Sequence, residues 1–478
     1  MTLKKLLNGV SVLDTNANLD YEVSSVKISS KEVLENDIFI SMAGSSDDGN
    51  NYIADIKCDF VVVTEKTPKI DCKFVIVENV RRAYSKISQN FFDNPINGMK
   101  LVAVVGTNGK TSTAHYISWL LSFAGLSTGL IGTEGHYICG EKVGESLTTP
   151  DPFEFNELLA KMRAKGVDVV VTELSAHAIY LDKIYGIKSD ISVLTNISQD
   201  HLDYFKTFEE YRNVKLGYFN AENTDKVVTN IDDQSGKYLA EQCEKIGLPC
   251  VSYGLQNPAD CFAIDVREDF DGVRFVANLC DDIVDVRSAL YGEFNVYNLL
   301  SALAVCHELG IEAEILSRGA SKVRAVKGRF SILKCDKGAI IIDFAHTPDG
   351  LKNLLLTART ITKSRIITVF GCGGDRDKSK RKIMGEVASQ YSDFVVVTSD
   401  NPRFENAEDI IEQIEAGVSC EHKSIVERTD AIRFAIEQML EGDTVVVAGK
   451  GNENYLDIKG KKTPYNDFDV VARFRSAR

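Results

Sequence analysis

LVAVVGTNGKTSTAHYISWLLSFAG, residues 101–125, decides how the rest of the chain is read. The apolar run Leu101–Val105 enters a turn with two glycines and then a stretch of helical length, which predicts a buried strand, a tight loop and a helix in succession. Glycines let backbone N–H groups curl around phosphate oxygens, and a helix start adds partial positive charge. In that arrangement Gly106, Thr107, Asn108 and Gly109 cradle the phosphates, and Lys110 meets the β- and γ-phosphates of a nucleotide. Thr111 offers its hydroxyl to magnesium, and Ser112 follows on the first helical turn. Val104 stands where the usual phosphate loop has its first glycine.

The same grammar repeats outward from this loop. VDVVVT (167–172) runs into ELSAH, AIII (339–342) into DFAHTPD, RIITVF (365–370) into GCGGDRDKSKR, FVVVTS (394–399) into DNPR, and TVVVA (444–448) into GKGNE. Open parallel sheets collect ligands beyond the carboxyl ends of their strands, so these motifs are the candidate functional groups. Asp168–Thr172 is expected to be a strand that delivers Glu173 to the sheet edge, where a carboxylate can hold magnesium.

The fold class is α/β with three domains. Short strand-like runs, DIFISMAG (37–44), DFVVVTE (59–65) and KFVIVENV (73–80), predict a small α/β domain over 1–97, closed by the polar FFDNPINGMK segment. Residues 98–327 read as a central P-loop parallel-sheet ATPase domain, extended between Val227 and Ala289 by antiparallel strands. Residues 328–478 alternate apolar strands and helices in a Rossmann-like pattern. At 478 residues the chain exceeds what one hydrophobic core serves, in keeping with this division.

Composition narrows the partners. A formal charge of -14 argues against a nucleic-acid-binding face, although local cations still serve an anionic nucleotide. No apolar run reaches bilayer length, and the opening MTLKKLLNGVSVLD lacks a long apolar core and a cleavage site. The 11 cysteines are scattered without a CxxC pair, as expected of small buried hydrophobes in a reducing compartment. The expectation is a cytoplasmic monomer with no membrane insertion.

Taken together, GTNGKTS, TTP, ELSAH, TNISQDHLDYF, GEFNVYN, GRF, DFAHTPD, FGCGGDRDKSKR, DNPR and GKGNE occur in an order that closely resembles the Mur ligase family. LENDIFISMAG, near the start, resembles that family's UDP-recognition domain, so the resemblance spans nearly the whole chain. It implies an ATP- and Mg2+-dependent ligase of peptidoglycan synthesis that activates a carboxylate as an acyl phosphate and then forms an amide. The implied substrates are UDP-N-acetylmuramoyl-L-alanyl-D-glutamate and meso-diaminopimelate, with L-lysine as the alternative amino acid. Absence of a nucleophile elbow or a triad-like grouping agrees with a route that needs no enzyme nucleophile.

Site residues follow from the resemblance. Lys110, Glu173, His201 and Lys215 are implied as catalytic, and Thr111, Glu173, His201 and Lys215 as magnesium ligands, with Lys215 carbamylated to N6-carboxylysine. Asn295, Asn298, Arg329, Asp343 and His346 resemble the ATP base and ribose contacts, although Asn298 also reads as a helix N-terminal cap. Ser30, Gly44, Thr148, Thr149, Ser175 and Lys183 resemble the UDP-substrate contacts. Arg376, Asp400, Asn401, Arg403, Gly449 and Glu453 resemble the amino-acid contacts. Diaminopimelate is lysine with a second carboxylate, and the Arg403 fork in DNPR suits that group. The chain departs from the family pattern at Ala176, Lys183 and Asn452, and at ISSKEV where DSR is common.

Overall fold

The computed structural model describes residues 1–44, 47–269 and 272–475. Three principal sheets carry the α/β architecture, of five, eleven and six strands, the eleven-stranded one being mixed. The chain separates into two compact units, one of residues 1–105, 126–192 and 217–227, the other of 106–125, 193–216 and 228–478.

In the first unit, strands Val26–Lys27, Asp37–Ile40, Phe60–Thr64 and Lys73–Val77 run parallel, and Val12–Thr15 closes the edge antiparallel. Asp37–Ile40 and Phe60–Thr64 are wholly buried, which is why they read as continuous apolar runs rather than alternating ones. Helix Val80–Phe91 packs Val80, Ala83, Tyr84 and Ile87 into the core on that sheet, with Asn79 capping its start. Also in this unit, strand Val169–Leu174 lies parallel to both Lys100–Val105 and Thr128–Gly132 and is buried throughout. The strand therefore extends through Glu173, where the sequence had suggested an end at Thr172.

In the second unit, Cys261–Asp269, Gly272–Leu279 and Asp282–Ser288 form the expected antiparallel meander. The six-stranded sheet follows, ordered Ser331–Cys335, Gly338–Asp343, Asp443–Ala448, Ile366–Phe370, Phe394–Thr398 and His422–Ile425, parallel except for its first pair. This order matters for function. DFAH, GKGNE, GCGG and DNPR leave four neighbouring strands at the same edge, so residues far apart in the chain share one rim. Among the described residues no helix is long and apolar enough to cross a membrane.

Candidate functional site

The phosphate loop lies in the second unit and leads into helix Lys110–Phe123. Its N-cap, Gly109, has φ +83, and a Cβ there would collide with the Asn298 side-chain oxygen. Asn298 sits within helix Glu293–Glu308, whose cap is Gly292, so the capping alternative is removed. Its Nδ2 donates to Asn295 Oδ1 (3.4 Å), which also accepts from the Tyr116 hydroxyl (3.0 Å). The segment Thr195–Ser198 fastens the loop: Thr107 N donates to Asn196 O (2.8 Å), Asn108 N to Asn196 Oδ1 (3.0 Å), and Thr195 Oγ1 to Asn108 O (2.7 Å).

Two lysines converge on this loop. Lys110 Nζ donates to the Gly106 and Thr107 carbonyls, both at 2.9 Å, and Lys215 Nζ donates to the same Gly106 carbonyl at 2.5 Å. Lys215 is 2% exposed, and burial, reinforced by Lys110, pushes its ammonium well below the usual lysine range. A neutral amine is the form that adds carbon dioxide to give a carbamate.

Around the loop, Arg329 donates to Thr111 Oγ1 (3.2 Å) and lies over the Phe344 ring. Asp343 accepts from Phe330 N (2.6 Å) and Ala345 N (2.7 Å); burial raises its carboxyl despite Arg329 nearby. His201 and His346 each place Nε2 3.5 Å from Asp200 Oδ2, and Lys380 Nζ lies 3.5 Å from Oδ1. Burial opposes ionisation of Asp200, but His346, His201 and Lys380 outweigh it and hold the carboxyl well below the usual range.

The rim of the six-stranded sheet gathers the amino-acid candidates. Gly374 comes so close to the DNPR backbone that a Cβ would strike the Pro402 carbonyl, and Gly374 N donates to Asn401 O (2.9 Å). Arg403 has φ +52; its backbone is held by hairpin Tyr455–Ile458/Lys461–Pro464 through Asp457 O and Lys459 N, and its Nη1 donates to Gly374 O (2.6 Å). Asn401 Nδ2 donates to Glu453 Oε2 (3.0 Å), and Asp400 packs where a Cβ on Gly449 would meet it. Arg376 lies near Arg403, its Cγ and the Arg403 Nη1 both within 4 Å of where a Cβ on Gly373 would sit, and its own guanidinium faces Asp203 at 3.7 Å.

The first unit holds a second connected group. Glu173 is buried and accepts from Thr133 N (2.8 Å) and Thr133 Oγ1 (3.1 Å), and Thr133 Oγ1 is 3.0 Å from Thr148 Oγ1. Thr149 Oγ1 donates to Glu173 O (2.8 Å) and accepts from Ser175 N (3.1 Å). Lys183, buried, donates to Thr149 O (3.1 Å) and pairs with Asp151 (2.9 Å). Ser30 begins a short 3-10 helix, and Gly44 is exposed and donates its N to Asp47 O, so neither joins that group.

Sequence reasoning passed over Thr133, Asp200 and Lys450. Thr133 follows strand Thr128–Gly132 in the strand-end pattern used elsewhere, Asp200 adjoins His201, and Lys450 lies inside GKGNE. Among the described residues no cluster of three His, Cys, Asp or Glu side chains has metal-site geometry. At the phosphate loop, Lys215 as an ammonium repels a divalent cation, whereas as a carbamate it would contribute oxygens of the kind magnesium takes.

Comparison with known proteins gives the family. The Mur ligase middle domain matches residues 104–306, and the Mur ligase glutamate ligase domain matches residues 328–451. The chain is 38% identical, over 99% of both chains, to a UDP-N-acetylmuramoyl-L-alanyl-D-glutamate–2,6-diaminopimelate ligase of Clostridium acetobutylicum. It is 39% identical to the enzyme of that name from Aquifex aeolicus, over 94% of this chain and 93% of that one. A solved structure of a ligase of the same name superposes with a TM-score of 0.69 at 27% identity, covering 100% of this chain and 99% of the other.

Proposed function

Because the chain belongs to the Mur ligase family of ATP-dependent ligases, we propose that it adds meso-diaminopimelate to the glutamyl carboxylate of UDP-N-acetylmuramoyl-L-alanyl-D-glutamate in peptidoglycan synthesis. The observation that carries the reading is similarity along essentially the full length to ligases named for that reaction. Cytoplasmic action as a monomer, and the division at 97/98 and 327/328, belong to the same proposal.

The chemistry is stepwise and balanced. The carboxylate attacks the γ-phosphorus of ATP and ADP leaves; the amine then attacks the acyl phosphate carbon, phosphate leaves, and the amine gives up a proton as the amide forms. Such a route asks the protein for positioning and for charge stabilisation. Lys110 and the N–H groups at the start of its helix face the phosphates, and Arg329 holds Thr111 beside them. Asn295, Asn298, Asp343 and His346 bind the base and ribose. Thr111, His201 and carbamylated Lys215 would hold magnesium, which when bound neutralises the transferring phosphoryl group.

Thr148, Thr149, Ser175 and Lys183 grip the nucleotide-linked dipeptide; their mutual hydrogen bonds with Glu173 and Thr133 support treating them as one unit. Ser30 and Gly44 serve uridine. Arg403, with Asp400, Asn401, Gly449, Glu453 and Arg376, receives the amino acid, and its guanidinium suits the carboxylate that distinguishes diaminopimelate from lysine. The test is phosphate release from ATP with the UDP-dipeptide and no amino acid, lysine or meso-diaminopimelate. Release that requires diaminopimelate is expected; equal release with lysine overturns the choice of amino acid, and none with either overturns the reaction.

A further inference from the structure

Lys450 is a charged side chain that the reaction described above leaves without a task. It is fully buried, at 0% exposure, on the loop that leaves strand Asp443–Ala448. A desolvated ammonium persists only when its surroundings pair and hydrogen-bond it. Here Nζ donates to Glu453 Oε2 (2.8 Å) and to Asn401 Oδ1 (3.0 Å), with Asp400 Oδ1 at 3.9 Å.

These contacts fix more than one charge. Asn401 Oδ1 also accepts from Asp457 N (3.0 Å), while Asn401 Nδ2 donates to Glu453 Oε2. Turning the amide over would set its NH2 group against an ammonium and a backbone N–H, so Lys450 and Asp457 select a single orientation. The same two donors, Lys450 and Asn401, engage one oxygen of Glu453 and leave the side chain, 26% exposed, anchored at one end. Lys450 is therefore the buried hub of a triangle whose other corners, Asn401 and Glu453, are both amino-acid candidates.

We propose that Lys450 is a positioning residue for the incoming amino acid, holding the Glu453 carboxylate, directly and through the Asn401 amide, in the orientation in which that carboxylate receives the amino acid's ammonium group. This rests on reading the rim of the six-stranded sheet as the amino-acid site. The role is indirect: Lys450 is enclosed and acts through its two neighbours.

The experiment uses the full chain with Lys450→Met, Glu453→Gln and the double variant, and measures KM for meso-diaminopimelate, ATP and the UDP-dipeptide separately. Wild-type phosphate release is recorded first, since its failure sinks the functional reading whatever Lys450 does. Lys450→Met is expected to raise KM for diaminopimelate about 10–100-fold, the scale of a lost charge-assisted hydrogen bond, with the other two KM values unmoved. The double variant is expected to be no worse than Glu453→Gln alone, because the lysine works through that carboxylate. A KM for diaminopimelate unchanged in Lys450→Met, or equal losses for all three substrates, overturns the proposal. If Lys450→Met does not fold, the double variant decides: it removes both charges of the pair, and a loss beyond that of Glu453→Gln counts against the role.

Discussion

Buried cations are treated in opposite ways in two regions of the second unit. On the rim of the six-stranded sheet each is met by a carboxylate: Arg428 by Asp467 (2.8 Å), Arg381 by Glu405 (2.9 Å), Lys450 by Glu453 (2.8 Å). At the phosphate loop Lys215 is just as buried, yet it donates to a carbonyl and a hydroxyl and faces Lys110. Matched charges make a rigid frame. An unmatched one costs stability and is poised for chemistry, because burial drives it toward the neutral amine. The difference separates the groups that shape the rim from the groups that serve the phosphates.

Substitutions that break the comparison fall in order of size. Lys215→Ala is expected to come close to abolishing turnover and to recover part of it with added short carboxylic acids, which replace the carbamate. Steady-state rates with and without acetate check this, and full activity without rescue contradicts the carbamate. On the matched rim, Arg428→Met is expected to destabilise the fold by about 3–5 kcal/mol, since it strands Asp467 at 0% exposure, and urea unfolding measures it. Lys215→Met should show no comparable loss; if it does, the two regions are not different in kind.

Arg403→Ala is expected to raise KM for diaminopimelate about 10–100-fold while leaving KM for ATP unchanged, as for one charge-assisted interaction of about 1.5–3 kcal/mol. The smallest effect is a pH dependence. The bond from Arg381 holds the Glu405 carboxyl at about 2, below its ordinary 4.5. A carboxyl lowered in the fold stabilises fully above the unfolded value and loses that contribution as pH falls through the window from about 4.5 to about 2. Unfolding curves taken across that range should show a gentler acid loss for Glu405→Gln than for the unaltered chain.

What the sequence revealed was local, and what it hid was long-range. The phosphate loop was legible because Leu101–Val105, the glycines and the following helix are contiguous, and the strand-end motifs were legible for the same reason. Glu173 was read one step too far out: an apolar run shows that a strand exists better than where it stops, and Leu174 carries it on. The cap alternative for Asn298 falls because the helix starts at Glu293. The Lys450–Asn401–Glu453 triangle joins positions about fifty residues apart, and Asp200 meets His346 only through the fold, so no spacing announced either. Lysine and aspartate are common surface residues, and only burial marks these as different.

The central claim is that the phosphate loop activates a carboxylate by phosphorylation. Its most direct test supplies the UDP-dipeptide with 18O in the glutamyl carboxylate, together with ATP and meso-diaminopimelate, and weighs the released phosphate by mass spectrometry. One 18O per phosphate formed is the predicted result, because the acyl phosphate breaks between carbon and the bridging oxygen. Unlabelled phosphate alongside amide product would contradict the account.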